Sequence, residues 1–287
     1  MSSRVDNPQP PDEFHSWQSY QNTHLTITCD PHVMSSCVQS EFYGKISIGR
    51  PAQTFSVVFD TAWSNSWLAH LKIKNQTFAE IVSVPLLYLF SKADGVLGMA
   101  YSSFSVDGVL PFFYNLVKQN LVAQPIFSFY INNDRTTDRA GNLFLGGADP
   151  KHYNGSMTFV PVTEKAYWQF KMSGLQGRMA TLFTAYNKVE ALKEKIILWR
   201  DMVNCATVNK LPEISFLIGG KNFTLKARNY IQQISWGGFE LCLSAFVATD
   251  LAAPYDNLWA LGAAFIGQYY TEFDLGKNRI GFAESYQ

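Results

Sequence analysis

Residues 41–67 read EFYGKISIGRPAQTFSVVFDTAWSNSW, and the organisation of the chain is worked out from them. Phe42-Tyr43-Gly44-Lys45-Ile46-Ser47-Ile48-Gly49 alternates, Arg50-Pro51-Ala52-Gln53 supplies a turn, and Thr54–Phe59 is a second β-branched and aromatic run. Strand, tight turn, strand predicts a hairpin. Its second arm delivers Asp60 to a strand end, followed by Thr61, Ala62 and Trp63. Asp60 is either an ordinary strand-end aspartate or a positioned acid, and the rest of the chain decides between the two.

Working outward, residues 1–39 are polar, carry Pro8, Pro10 and Pro11, and read as a loose extension. The start MSSRVDNPQPPDEF has neither the basic nor the apolar segment of a secretory leader, so the chain is cytosolic or is written without its leader. Helices are predicted over 108–121 and 186–198, where apolar residues share one face. Short strands are predicted at Ile126–Ile131, Leu143–Leu145, Glu213–Ile218, Phe223–Leu225, Glu240–Leu243, Trp259–Leu261, Tyr269–Phe273 and Arg279–Phe282. Many short strands with few helices indicate an all-β class with two similar halves. The 22 Phe, 14 Tyr and 7 Trp agree, since aromatic side chains pack well on pleated surfaces.

Composition removes several functions. The chain is 47% hydrophobic and 16% charged over 287 residues, which gives a sizeable core rather than a disordered polymer. Net charge is zero with no basic block, so neither nucleic acid nor an acidic membrane surface is an expected partner. No apolar run reaches the ~20 residues that span a bilayer. His15, His24, His32, His70 and His152 are scattered without metal spacing, and no glycine-rich phosphate loop opens a helix, so no metal or cofactor is expected. Three Asn-x-Ser/Thr sequons, at Asn75, Asn154 and Asn222, point weakly to a secretory history. The four cysteines are open to two readings, disulfides or reduced core thiols.

The stretch 41–67 resembles the first active-site arm of the pepsin-like aspartic peptidases, relatives of pepsin and cathepsin D. ADGVLGMAY (93–101), GNLFLGGADPKHYNGSMTFVPVTEKAYWQFKM (141–172), LPEISFLIGGKNFTL (211–225) and LWALGAAFIGQYYTEFDLGKNRIGFAE (258–284) resemble later segments of that family in the same order. The resemblance implies an all-β, bilobal fold with a few short helices: an extension over 1–39, a shortened amino-terminal lobe over 40–165 and a carboxyl-terminal lobe over 166–287. It implies that Leu97-Gly98 and Leu261-Gly262 thread past and support the active-site loops, and that Cys205 and Cys242 form the second lobe's disulfide. It further implies a monomer, a peptide or protein ligand, and a lysosomal or secreted location.

The resemblance makes Asp60 the first-arm aspartate, Thr61 the threonine that cross-links the arms, and Ser64 part of the same loop. Ala62 and Trp63 depart from the pattern, standing where the family has glycine and a small hydroxyl residue. The family's chemistry needs one carboxylate as base toward water and a second, protonated, as acid toward the carbonyl; two carboxyls in contact share a proton. The second should fall near Gly177-Arg178-Met179, yet no aspartate occurs between Asp149 and Asp201. Asp274-Leu275-Gly276 imitates an arm, but belongs to the segment that matches the final strand. The flap hairpin is missing too, since LAHLKIKNQTFAEI after Trp67 has no Tyr-Gly pair. The expectation is a peptidase homologue with impaired hydrolysis and no second catalytic aspartate. The alternative is an active endopeptidase whose sequence is incomplete at these two places.

Overall fold

A computed structural model of the chain describes residues 17–18, 27–29, 43–48, 53–68, 76–79, 93–132, 141–177, 202–236, 239–246 and 258–286. The structure is mostly β-sheet, and the chain divides into two compact units. The first comprises the described residues within Met1–Pro125, Thr136–Gly146 and Val162–Gln169; the second those within Ile126–Arg135, Gly147–Pro161 and Phe170–Gln287.

In the first unit, β1 (Trp17–Gln18), β2 (Ile27–Cys29), β3 (Tyr43–Ile48), β4 (Gln53–Asp60), β5 (Trp67–Leu68), β6 (Phe78–Ala79) and β7 (Gly95–Gly98) form one sheet in the order β1-β6-β5-β7-β4-β3-β2. The predicted hairpin is β3 and β4, antiparallel with Tyr43 opposite Val58 and Ile48 opposite Gln53. Alternation places Phe55, Val57 and Phe59 on one face of β4. There they meet Ile46, Leu97 and the helix residues Phe112 and Leu116 in a hydrophobic cluster. Burying each such side chain contributes roughly 1.5–3 kcal/mol.

The helix expected over 108–121 is shorter than its pattern: α1 runs Phe112–Lys118. Asp107 and Gly108 have φ of 57° and 64°, so a left-handed turn precedes it, and Pro111 stands at its N-cap. At the other end Asn120, with φ 54°, stops the helix as left-handed residues commonly do. After α1 the chain runs into β8 (Ile126–Ile131), which belongs to the second unit, and β9 (Gly141–Leu145), which returns to the first.

The second unit is organised by β10 (Tyr153–Lys165, of which 162–165 belong to the first unit), β18 (Tyr269–Asp274) and β19 (Arg279–Ser285). β19 pairs antiparallel with both β10 and β18, and β18 with β8. Between β8 and β18 the chain adds β11 (Trp168–Phe170), β12 (Gly174–Gln176), β13 (Met202–Val203), β14 (Ile214–Ile218), β15 (Lys221–Leu225), β16 (Ile231–Trp236) and β17 (Phe239–Ser244). Two short helices, α2 (Ala227–Tyr230) and α3 (Ala263–Ile266), complete it. Phe216, Phe223, Phe265, Tyr269 and Phe282 pack ring against ring, with centroids 4.9–6.1 Å apart. A disulfide joins Cys205 to Cys242, with Cα atoms 5.3 Å apart.

One predicted strand is corrected. Trp259–Leu261 has no ladder partner among the described residues, and Leu258 and Trp259 are 44% and 45% exposed. Three apolar residues carry no period that tells a strand from a loop, and Trp259 is instead set edge-on to Phe216 and Phe246. The helix expected over 186–198, residues 69–75 and 80–92 of the flap region, and Cys37 lie outside the described residues.

Candidate functional site

Asp60 is the last residue of β4, and the strand beside it explains why it is held there. β7 runs parallel to β4 with Phe59 opposite Leu97 and Asp60 opposite Gly98. Beyond the ladder, Met99 N–H donates to the Asp60 carbonyl and Ala100 N–H to the Trp63 carbonyl, each at 2.8 Å. The loop 61–66 is therefore tied to β7 by backbone bonds that any side chains would permit. At its start, Asp94 accepts from Ser56 N–H at 2.8 Å and its own N–H donates to the Ser56 carbonyl at 2.7 Å.

Gly98 is where the loop crosses the strand. A Cβ placed there would lie 2.4 Å from the Asn65 carbonyl oxygen and 2.6 Å from the Ser64 carbonyl carbon. Only glycine leaves room for that crossing. Leu97-Gly98 thus supports the Asp60 loop as the resemblance implied. Gly262 caps α3, its carbonyl accepting from Phe265 and Ile266 N–H at 2.9 and 3.0 Å; the loop that Leu261-Gly262 is expected to support lies outside the described residues.

The Asp60 carboxylate accepts from Ala62 N–H at 2.7 Å. Burial raises its pKa above the usual 3.8, while the N–H groups of Ala62 and Trp63 pull the other way. Burial wins. Thr61 sits in the turn that follows, half-buried. Ser64 is completely buried, and its hydroxyl has no hydrogen-bond partner among the described residues. The structure thus turns Ser64 into the protein rather than toward solvent.

A polar and aromatic frame surrounds the loop. Asn65 donates through Nδ2 to Ser105 Oγ at 3.2 Å and accepts from Val106 N–H at 3.0 Å. Gln76 donates to the Leu110 carbonyl at 3.0 Å and accepts from Asn115 at 2.9 Å, fixing the start of α1. Trp63 lies 6.0 Å from the ring of Phe104, which lies 4.5 Å from that of Tyr167. Trp168 donates through Nε1 to the Met99 carbonyl at 2.9 Å and packs on Tyr101 at 4.6 Å. Sequence reasoning missed this frame. Its signal was the contiguous Tyr167-Trp168 pair, whose partners lie far away in the chain.

Of the residues expected on the second side, only Gly177 is described; Arg178, Met179 and Asp201 lie outside the described residues. Asp274 has a structural explanation: it opens the turn from β18 to β19, accepting from Lys277 N–H at 2.9 Å and Arg279 Nε at 2.8 Å. Its likeness to an active-site arm is a coincidence of turn chemistry. Among the described residues no group of three or more His, Cys, Asp or Glu could hold a metal, and no helix is long and apolar enough to cross a membrane.

The family model described as eukaryotic aspartyl protease matches residues 41–74, 68–194 and 187–285. Cathepsin D of Chionodraco hamatus is 34% identical over 331 aligned positions, covering 89% of this chain and 84% of the relative. Cathepsin D of Homo sapiens is 34% identical over 342 positions, covering 89% and 83%. Cathepsin D of Gallus gallus is 33% identical over 330, covering 88% and 83%. Each of these alignments is longer than the 287 residues of the chain, so the relatives carry residues that it lacks.

Proposed function

The chain belongs to the eukaryotic aspartyl protease family, and from that premise we propose that it is a pepsin-like homologue in which peptide hydrolysis is lost or severely reduced. One observation carries this reading: the first arm keeps Asp60 in a supported loop, while no aspartate occurs between Asp149 and Asp201, where the second arm belongs. A lone carboxyl cannot be base and acid at once, and general acid–base help is worth ~10²–10⁴ in rate. The substitutions at Ala62 and Trp63 and the short stretch after Trp67 point the same way. Extended peptides remain its ligands in this reading, because pairing with a peptide backbone does not require the second carboxylate.

Incubating the protein with a denatured protein substrate from pH 3 to 6 is the direct test. Little or no cleavage is expected. Turnover in the parent protein that Asp60→Asn abolishes sinks the reading.

A second reading has its own support. The family model matches in three pieces that overlap at 68–74, where the flap belongs, and at 187–194, just beyond the expected second arm. Skipped coding segments would produce such a division in an active endopeptidase. Sequencing transcripts separates the two readings: a segment carrying Asp-Thr-Gly before Thr181 restores the active enzyme, and its absence in every transcript removes that alternative.

A further inference from the structure

Two acidic side chains of the second unit stand side by side where water scarcely reaches. β18 is buried along its whole length. Glu272 and Asp274, two residues apart, project from the same face of it and are 7% and 2% exposed. Asp274 is compensated by the Arg279 guanidinium and the Lys277 N–H. Glu272 is not. Across the ladders it faces Ser128 on β8 and Gly281 on β19, and no hydrogen bond or ion pair of its own joins it among the described residues.

Gly281 offers no side chain, and the ring of Phe159 from β10 fills the space above it, 2.6 Å from where a Cβ would stand. Arg279 lies on that ring, 3.7 Å from its centre, with its Nε committed to Asp274. The charged and titratable groups around Glu272 are thus Asp274 and Tyr270 on its own strand, Arg279 on β19 and Lys277 in the turn. Tyr270 is occupied with Ser128 and the Asp149 N–H.

We propose that Glu272 and Asp274, neighbours on a buried strand whose one nearby guanidinium is bonded to Asp274, form a proton-sensitive carboxyl pair that makes the second unit more stable in acid than at neutral pH. With both groups ionised, two like charges face one fixed cation in a poorly solvated place, and the uncompensated one is the weaker. Protonating Glu272 removes the repulsion and leaves the Asp274–Arg279 bond intact. Burial first, and Asp274 second, raise the Glu272 pKa above its usual 4.5, against the opposing pull of Arg279 and Lys277. Below the usual value Glu272 is protonated folded and unfolded alike, and nothing is lost. As pH rises through its folded value, the folded state alone is penalised.

Thermal unfolding of the full chain and of Glu272→Gln between pH 4 and 7 tests the pair. The variant is expected to melt above the parent at pH 7, with the difference shrinking toward zero by pH 4. A pH-independent offset, or a variant that melts below the parent at pH 7, overturns the proposal. A carboxyl-¹³C NMR titration of the parent needs no variant to fold: a Glu272 midpoint above the usual glutamate value supports the pair, and one at or below it overturns it.

Discussion

Asp60 shows how a single side chain can be legible by type and still gain its properties from contacts far along the chain. Its place at the end of a β-branched run is written in residues 54–60; its burial and raised pKa depend on β7, which enters more than thirty residues later. The raised pKa sets a sign. Below the usual carboxylate value Asp60 is protonated in both folded and unfolded chains, and as pH rises the folded state bears the penalty. Asp60→Asn is therefore expected to be more stable than the parent at pH 7, with the advantage fading in acid. Melting curves of the pair across pH check it, and a constant or inverted difference contradicts it. Gly98 makes the complementary point, since Leu-Gly is a common pair and only the crossing backbone shows why glycine is required. Gly98→Ala forces backbone to move, which typically costs about 1–3 kcal/mol or more. Gly174→Ala, which meets nothing among the described residues, is its control in urea unfolding.

At the scale of elements, strands with clear alternation and turn signals were readable, and those lacking them were not. Ile126–Ile131 and the β18–β19 hairpin follow the sequence pattern closely. β10 escaped because Asn154, Gly155 and Pro161 interrupt its pattern; the structure absorbs the first two in a register shift between Asn154 and Thr158. The Trp259–Leu261 strand failed for the opposite reason, being apolar residues without a partner. Besides its ladder and the stacking of Phe127 on Phe273, a polar cluster ties β8 to β18: Ser128 and Tyr270 hydroxyls meet at 2.6 Å, Ser128 also reaches the Gly147 carbonyl at 2.8 Å, and Asp149 N–H donates to Tyr270 at 2.9 Å. Burial outweighs those bonds and pushes the Tyr270 hydroxyl up to about 12. Removing that oxygen leaves the part-buried Asp149 N–H without this partner. Tyr270→Phe is expected to lower stability by about 1–3 kcal/mol, read from a shifted denaturation midpoint at unchanged slope. A neutral effect would mean that water replaces the hydroxyl.

For the whole molecule, the family and its β-rich class were visible because segments matching in the right order are distributed from residue 41 to 284. The division into two units was less so, since Ile126–Arg135 and Gly147–Pro161 fold with residues much later in the chain. A hydrophobic pattern reports which face of a strand is covered, and not which later segment covers it. The disulfide acts at this largest scale. Cys205 and Cys242 are 37 residues apart, and closing such a loop restricts the unfolded chain by about 4 kcal/mol in the chain-entropy treatment. Reduction, or Cys205→Ala with Cys242→Ala, is expected to lower stability by up to that amount. An unchanged midpoint under reducing conditions would show that the bridge is dispensable.

The crossing at Gly98 has one more consequence. Main-chain carbonyls of residues 60 and 63 latch the loop onto the chain that leaves the neighbouring strand, so the latch itself asks nothing of the side chains at positions 62 and 63 while the acid stays put. A lineage relieved of the need to cut peptides would shed its reactive partners first and keep this latch longest, because losing it threatens the shape and not merely the chemistry.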